Sequence, residues 1–180
     1  MTVNIPETSR LKFKFVTERD AEFLFDLDQD PMVMKFINGG IKHSRERINE
    51  VFLPRIAKFA NQEKGWGLWQ VIEKVTGKAI GWILVRPNLF FSDNPEFDNL
   101  EVGWRFFQSS WGKGYATEAA EAVIEVVSKY EEVTRISAIA VEENLASINI
   151  MRKLGMKFVK KYLHKDPLGD SEVVYYEKTV

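Results

Sequence analysis

The sequence predicts an α/β (α+β) architecture, a mixed and mostly antiparallel sheet of about seven strands flanked by helices, and three observations carry that expectation. Leu11, Phe13 and Phe15 alternate with Lys12 and Lys14, the two-residue period of a half-buried strand. Between residues 66 and 107 three strand-like runs follow one another with no helical pattern between them, which makes an antiparallel meander. Ala116, Ala119, Ala120, Val123, Val127 and Tyr130 then recur at steps of three and four, the stripe of a helix with one buried face.

Each element has its own local cause. After the first strand, Thr17 offers an N-cap oxygen to a helix over residues 18–28. Ser44 caps a second helical stretch reaching about residue 61, and Pro54 inside it implies a kink or two shorter helices, because proline removes a backbone donor. Strands are expected over 67–75, 78–86 and 100–107, the first two joined by the Thr76-Gly77 turn and the third preceded by an irregular segment, 87–99. Beyond the helix at 116–130 come a strand over 134–141, a short helix over 145–154 stopped by Gly155, and strands over 156–162 and 172–178 linked by Asp166-Pro167-Leu168-Gly169-Asp170. A single domain over residues 1–180 accommodates this order, and 45% hydrophobic content supplies it with a substantial core.

Composition removes several functions. With 25 basic and 26 acidic residues well mixed along the chain, no extended basic face is available for nucleic acid or anionic lipid. The absence of cysteine excludes disulfides, thiolate metal sites and acyl transfer through a cysteinyl intermediate. Residues 1–10 lack the apolar core of a signal peptide and no run approaches the roughly 20 apolar residues of a membrane span, so a cytoplasmic location is expected.

The junction with the most chemistry is Gln108-Ser109-Ser110-Trp111-Gly112-Lys113-Gly114-Tyr115-Ala116, a strand end running into a helix start. The first turn of a helix carries unpaired N–H groups and the positive end of its dipole, which together suit a pyrophosphate. Gly112 and Gly114 let the backbone take positive φ, and Ala116 is small enough not to block approach. The spacing is not that of a Walker A loop, and a dinucleotide fingerprint would need a third glycine where Thr117 stands. A tight structural bend fits the two glycines equally well, so the neighbourhood has to decide.

That neighbourhood resembles the GCN5-related N-acetyltransferase (GNAT) superfamily, and within it the branch of the ribosomal-protein N-terminal acetyltransferases. Trp111-Gly112-Lys113-Gly114-Tyr115-Ala116 is similar to the family's Gln/Arg-x-x-Gly-x-Gly/Ala turn except at its first position. Glu101-Val102-Gly103-Trp104, Ala116-Thr117-Glu118-Ala119, Asn144-Leu145-Ala146-Ser147 and Lys153-Leu154-Gly155-Met156 resemble the branch's other segments, in the same order. The resemblance covers nearly the whole chain and implies a sheet splayed between its fourth and fifth strands, with acetyl-CoA as co-substrate and no metal. Pantetheine would lie in the split against the backbone near Phe106, as an added strand would. Pyrophosphate would sit on the amides of Gly112, Lys113, Gly114, Tyr115, Ala116 and Thr117, with Trp111 as a further cofactor-binding residue of the turn, and Asn144 would contact pantetheine or hold the splayed strand.

Acetyl transfer to an amine needs a neutral nucleophile, a donor to the developing oxyanion and a proton for the departing thiolate. The resemblance implies a backbone N–H near Phe106 for the oxyanion. Many relatives carry a proton-donating tyrosine seven residues after the asparagine, where this chain has Met151, so Ser147 is the replacement candidate. Glu101 is the candidate base, acting directly or through water, with Glu142 and Glu143 as rivals beside the split. The acceptor is then a primary amine, either a protein N-terminal α-amine or a small molecule, and a non-catalytic acyl-CoA-binding module is the alternative. The sequence leaves acceptor identity and oligomeric state open.

Other signals point less far. Asp26-x-Asp28-x-Asp30 opens like a calcium loop, but Pro31 and Ile37 stand where glycine and an acidic ligand are required, so it reads as a solvated helix end. His43 and His164 lack ligand-spaced partners and read as surface or loop residues. Trp66, Trp69, Trp82 and Trp104 fall on strands and suit the core, although any of them, or Phe36, Ile37, Phe90 and Phe91, can wall an acceptor pocket.

Overall fold

The alternation at residues 11–15 forms β1 (Leu11–Phe15), with Leu11 buried and both lysines in solvent, in the computed structural model, which describes all of residues 1–180. β2 (Gly67–Glu73), β3 (Ala79–Asn88) and β4 (Glu96–Phe106) extend it as the expected meander. β4 begins earlier than the apolar pattern suggests: Glu96 and Asn99 open it as a polar, hydrogen-bonded end in which Asn99 is fully buried. β5 (Arg135–Ala140) lies parallel to β4, and β7 (Ser171–Thr179) inserts between β5 and β6 (Lys157–His164) to complete the order β1-β2-β3-β4-β5-β7-β6.

The sheet is splayed where the resemblance implies. β4 and β5 pair only at Asn99 with Arg135, Leu100 with Ile136 and Glu101 with Ser137, and then diverge. Residues 102–106 of β4 and 138–140 of β5 therefore face each other across a gap rather than a ladder.

Because strand side chains alternate, the two faces of the sheet carry different cores. Ile83, Val85, Leu100, Val102 and Phe106 pack on α5 (Tyr115–Val127) and α6 (Leu145–Lys153). Ala119, Ala120, Val123 and Val127 form the buried stripe of α5 as expected, and Tyr130 lies past the helix end. Leu68, Trp82 and Leu84 point to the opposite face, which is covered by the N-terminal helices.

Those helices depart most from expectation. The 18–28 stretch is capped by Thr17 in a box with Asp20, opens as a 3-10 turn, Glu18–Asp20, and continues as α1 (Ala21–Leu27). The helix α2 (Pro31–Asn38) was not anticipated. Asp30 caps it through Met32 N–H at 2.8 Å, Pro31 opens it and Gly39, at φ 81°, ends it, so the acidic spacing around Asp30 is a helix start. Ser44 caps α3 (Arg45–Arg47), and the run passes through a π-type segment, Ile48–Phe52, into α4 (Leu53–Phe59). The expected break at Pro54 is thus absorbed as a widened turn: Pro54 has no N–H to give the preceding turn, and Leu53 N–H bonds five residues back to Ile48 O. No helix is long and apolar enough to cross a membrane.

Candidate active site

The turn before α5 presents a row of main-chain donors. Gly112 and Gly114 have φ of 73° and 78°, the left-handed region that glycine adopts without strain. Gly114 is the N-cap and contributes no side-chain acceptor, and Glu118 N–H is the first of the helix to bond, to Gly114 O at 3.1 Å. The amides from Gly112 to Thr117 are left without protein acceptors at an exposed helix start. Arg10 braces the turn from β1: Nη1 donates to Lys113 O at 2.9 Å, Nε to Glu118 Oε2 at 2.7 Å, and its guanidinium lies 4.3 Å from the Tyr115 ring centroid. Tyr115 in turn donates to Glu73.

The main chain of β4 supplies a second row. Phe107 N–H bonds Ile80 O and Gly81 pairs with Phe106, so the antiparallel alternation directs the N–H and C=O of Val102, Trp104 and Phe106 away from β3 and into the split. Phe106 O accepts from Trp111 Nε1 at 3.0 Å, which fixes the exposed indole beside the gap. Across the gap, Trp104 Nε1 donates to Ser147 Oγ at 3.2 Å, so the serine keeps its own proton to give. Asn144 Oδ1 accepts from Ser147 N–H at 3.3 Å, and the asparagine is the N-cap of α6 at the end of β5. Met151, at the tyrosine position, is fully buried core.

On the opposite face Glu101 is 5% exposed and bound by Arg86, from Nε to Oε2 at 2.9 Å and from Nη2 to Oε1 at 3.3 Å. Burial works against the charge on Arg86, but Glu101 outweighs it and holds the guanidinium above its ordinary pKa. Arg86 stands between two hollows. Glu101, Phe90, Phe91, His164 and Asp166 line a recess of ≈ 10 Å³, and a cavity of ≈ 170 Å³ opens between Trp82 and Leu84 of the sheet and Ile48, Phe52, Ile56 and Phe59 of the helices. Arg55 crosses from α4 to pair with Asp166 of the β6–β7 loop at 2.5 Å. Burial opposes that carboxylate, but the Leu168 N–H and Arg55 hold Asp166 below the usual range.

Arg105, Asp28 and His43 form a buried chain at the far end of the cavity. Arg105 Nη1 donates to Asp28 Oδ1 at 2.7 Å, and His43 Nδ1 lies 2.8 Å from Asp28 Oδ2. His43 is stacked on Phe52 and only 7% exposed, and Asp28 is 4% exposed, so neither is the surface group its sequence context suggests. Tertiary packing, which brings α1, the loop after α2 and β4 together, overrides the local polarity.

The remaining candidates separate clearly. Glu142 is exposed and ion-paired to Lys161 at 2.7 Å, and Glu143 is exposed. Trp82, Phe90 and Phe91 line the hollows, whereas Ile37 is 51% exposed and lines neither. Sequence reasoning missed Arg55, Arg86, Arg105 and Asp166. Their one sequence signal is an arginine inside otherwise apolar strand patterns, at Arg86 and Arg105, which marks a charge with a buried partner.

A backbone anion cradle beside a splayed, edge-exposing strand defines an acyl-CoA-binding transferase fold. The family model of the acetyltransferase (GNAT) domain matches residues 10–157. The chain is 32% identical over 164 residues to the uncharacterized N-acetyltransferase YnaD of Bacillus subtilis, covering 88% of this chain and 87% of that protein. It superposes on the aminoglycoside acetyltransferase AAC(6')-Ib in complex with coenzyme A with a TM-score of 0.75 at 20% identity, covering 94% of each chain. The ribosomal L7/L12 α-N-protein acetyltransferase RimL in complex with coenzyme A gives a TM-score of 0.76 at 13% identity, covering 98% of this chain and 97% of that one, a likeness of fold. The chain belongs to the GNAT acetyltransferase family, and it is an N-acetyltransferase with acetyl-CoA as its donor.

Proposed function

We propose that the enzyme transfers acetyl directly from acetyl-CoA in the split to a primary amine entering from the Trp82–Arg105 face. The observation that carries this reading is the presence of two main-chain rows free of backbone partners beside the gap, the amides of Gly112 to Thr117 and the β4 edge from Val102 to the Phe106 N–H. Pyrophosphate takes the first row and pantetheine the second. The amine lone pair attacks the thioester carbon and forms the C–N bond as the carbonyl electrons move to oxygen, an N–H near Phe106 stabilises that oxyanion, and its collapse to the amide breaks the C–S bond. Ser147 gives its proton to the thiolate. Glu101 takes the ammonium proton through a water in the smaller recess, since its two oxygens keep lone pairs free beyond the Arg86 bonds.

The acceptor is either a protein N-terminus, which the resemblance to the ribosomal-protein branch favours, or a small-molecule amine. A second reading, a non-catalytic acyl-CoA-binding module, draws on the burial of Met151 where relatives carry a proton donor. Incubation with acetyl-CoA and a panel of primary amines, following free thiol release, separates the two. Turnover on at least one acceptor is expected; tight acetyl-CoA binding with no turnover on any, beside active controls, favours the module.

A further inference from the structure

The acceptor class can be read from the cavity between the sheet and the N-terminal helices. Its ≈ 170 Å³ is close to the ~150 Å³ that holds one benzene-sized group and well short of the roughly 300 Å³ or more that a drug-sized ligand occupies. One apolar side chain fills the hollow, which opens to solvent beyond it. The walls agree, being Ile48, Phe52, Ile56, Phe59, Trp82 and Leu84.

The charges that line it are Arg55, Arg86, Arg105 and Asp28. Asp28, the one carboxylate that lines it, is already engaged by Arg105 and His43, so its charge is offset before a polycationic amine arrives. Arg86 is held on both Glu101 oxygens, whereas Arg55 and Arg105 each spend a single donor on a carboxylate, Asp166 and Asp28 respectively. Of the three, Arg105 alone has a buried nitrogen, Nε, with no partner, and it lies on β4 beside the split. A guanidinium with spare donors is built to take a carboxylate.

Position adds the remaining constraint. Arg105 lies on β4 beyond Glu101, where the strands have parted, between Trp104 and Phe106, whose main chain faces the split. A carboxylate held by Arg105 sets an α-amine one carbon away toward the acetyl group.

We infer that the acceptor is a free α-amino acid with an apolar side chain, its side chain in the cavity and its carboxylate on Arg105. This rests on the acetyl-transfer reading for the reaction, and on the cavity alone for the acceptor's shape. The test pairs calorimetric titration of L-phenylalanine into the CoA-saturated full chain with thiol release from acetyl-CoA, using phenethylamine, L-phenylalaninamide and kanamycin as comparison acceptors. L-Phenylalanine is expected to bind saturably and to be used with kcat/KM roughly 10- to 100-fold above phenethylamine and the amide, the range of a charge-assisted pair, with kanamycin inert. Arg105→Gln should erase that preference, while Arg105→Lys, which keeps the charge beside Asp28, should retain part of it; thermal melts of both check that they fold. Equal or better use of the amide points to a peptide N-terminus and overturns the inference, as does kanamycin turnover or phenylalanine binding that survives Arg105→Gln. Arg105-dependent binding without turnover of any amine upholds the pocket and overturns acetyl transfer; turnover of another amine with no phenylalanine binding does the reverse, and neither binding nor turnover overturns both.

Discussion

Beside the split the polar groups are main-chain amides, from Gly112 to Thr117 and along β4, whereas the opposite face is lined by the side chains of Arg55, Arg86 and Arg105, drawn from α4, β3 and β4. The first, the proposed phosphate site, is written in a few consecutive residues, because glycine spacing sets its backbone. The second exists only after the sheet has formed and four N-terminal helical segments have packed on it. A main-chain site can therefore serve every member of a family with the same donor, while a side-chain site is free to change with the acceptor.

The largest expected effect breaks the donor side alone. Gly114→Val puts a branched side chain at φ 78°, a conformation that costs an L-residue roughly 1–2 kcal/mol, and turns the amide row away from the pyrophosphate. Loss of two or three charge-assisted bonds predicts a rise of roughly 100-fold or more in the KM for acetyl-CoA, read from steady-state kinetics, with the melting temperature lowered by only about 2–8 °C.

Glu101→Gln sharpens the other side. It leaves Arg86 without its counter-ion in a buried setting, an arrangement that destabilises by roughly 3–5 kcal/mol, or on the order of 10 °C in Tm for a chain of this size. Pairing it with Arg86→Met should restore most of the melt while activity stays low. Recovery of activity along with the melt would reduce Glu101 to a counter-ion and remove it as base.

A smaller effect is expected at the gap. Ser147→Ala should lower kcat roughly 100-fold, the lower end of acid–base contributions, with the KM for acetyl-CoA unchanged. Trp104→Phe, which deletes the indole donor and keeps the hydroxyl, should lower it much less; an equal loss in both would make the serine a structural partner of the indole.

The smallest effect lies at the alkaline edge. Burial pushes the Tyr162 phenol to about 12, with the Glu101 charge adding to it, and burial with the Glu177 hydrogen bond does the same for Tyr175. Folded values raised above the usual ~10 mean that the stability tied to the neutral phenols is complete below pH ~10 and is lost as pH rises toward 12. Phenolate absorbance should therefore show these two tyrosines ionising late, and a Tyr162→Phe, Tyr175→Phe double variant should unfold less steeply across that window.

Legibility followed the same divide. The meander, the stripe on α5 and the turn at 112–117 follow from patterns local in sequence, whereas the splay between β4 and β5 comes from the resemblance, and all four stand in the structure. The helix α2 was legible in Asp30-Pro31 and Gly39 but was masked by the acidic spacing that precedes it. His43 and Asp28 read as surface groups because nothing near them in sequence announces Arg105, a partner 77 residues from Asp28. Ser147 and Glu101 were reached through resemblance; their contacts to Trp104 and Arg86 were not, since pairings between strands, or between a strand and a helix, leave no mark on spacing.

The central claim is that donor and acceptor are held by separate devices on the two sides of one strand. Initial-rate kinetics with acetyl-CoA and L-phenylalanine both varied, on the parent enzyme, Gly114→Val and Arg105→Gln, test it most directly. The account predicts that Gly114→Val raises the KM for acetyl-CoA and leaves that of the acceptor within about twofold, and that Arg105→Gln does the converse. Variants that each shift both constants by similar factors would contradict it.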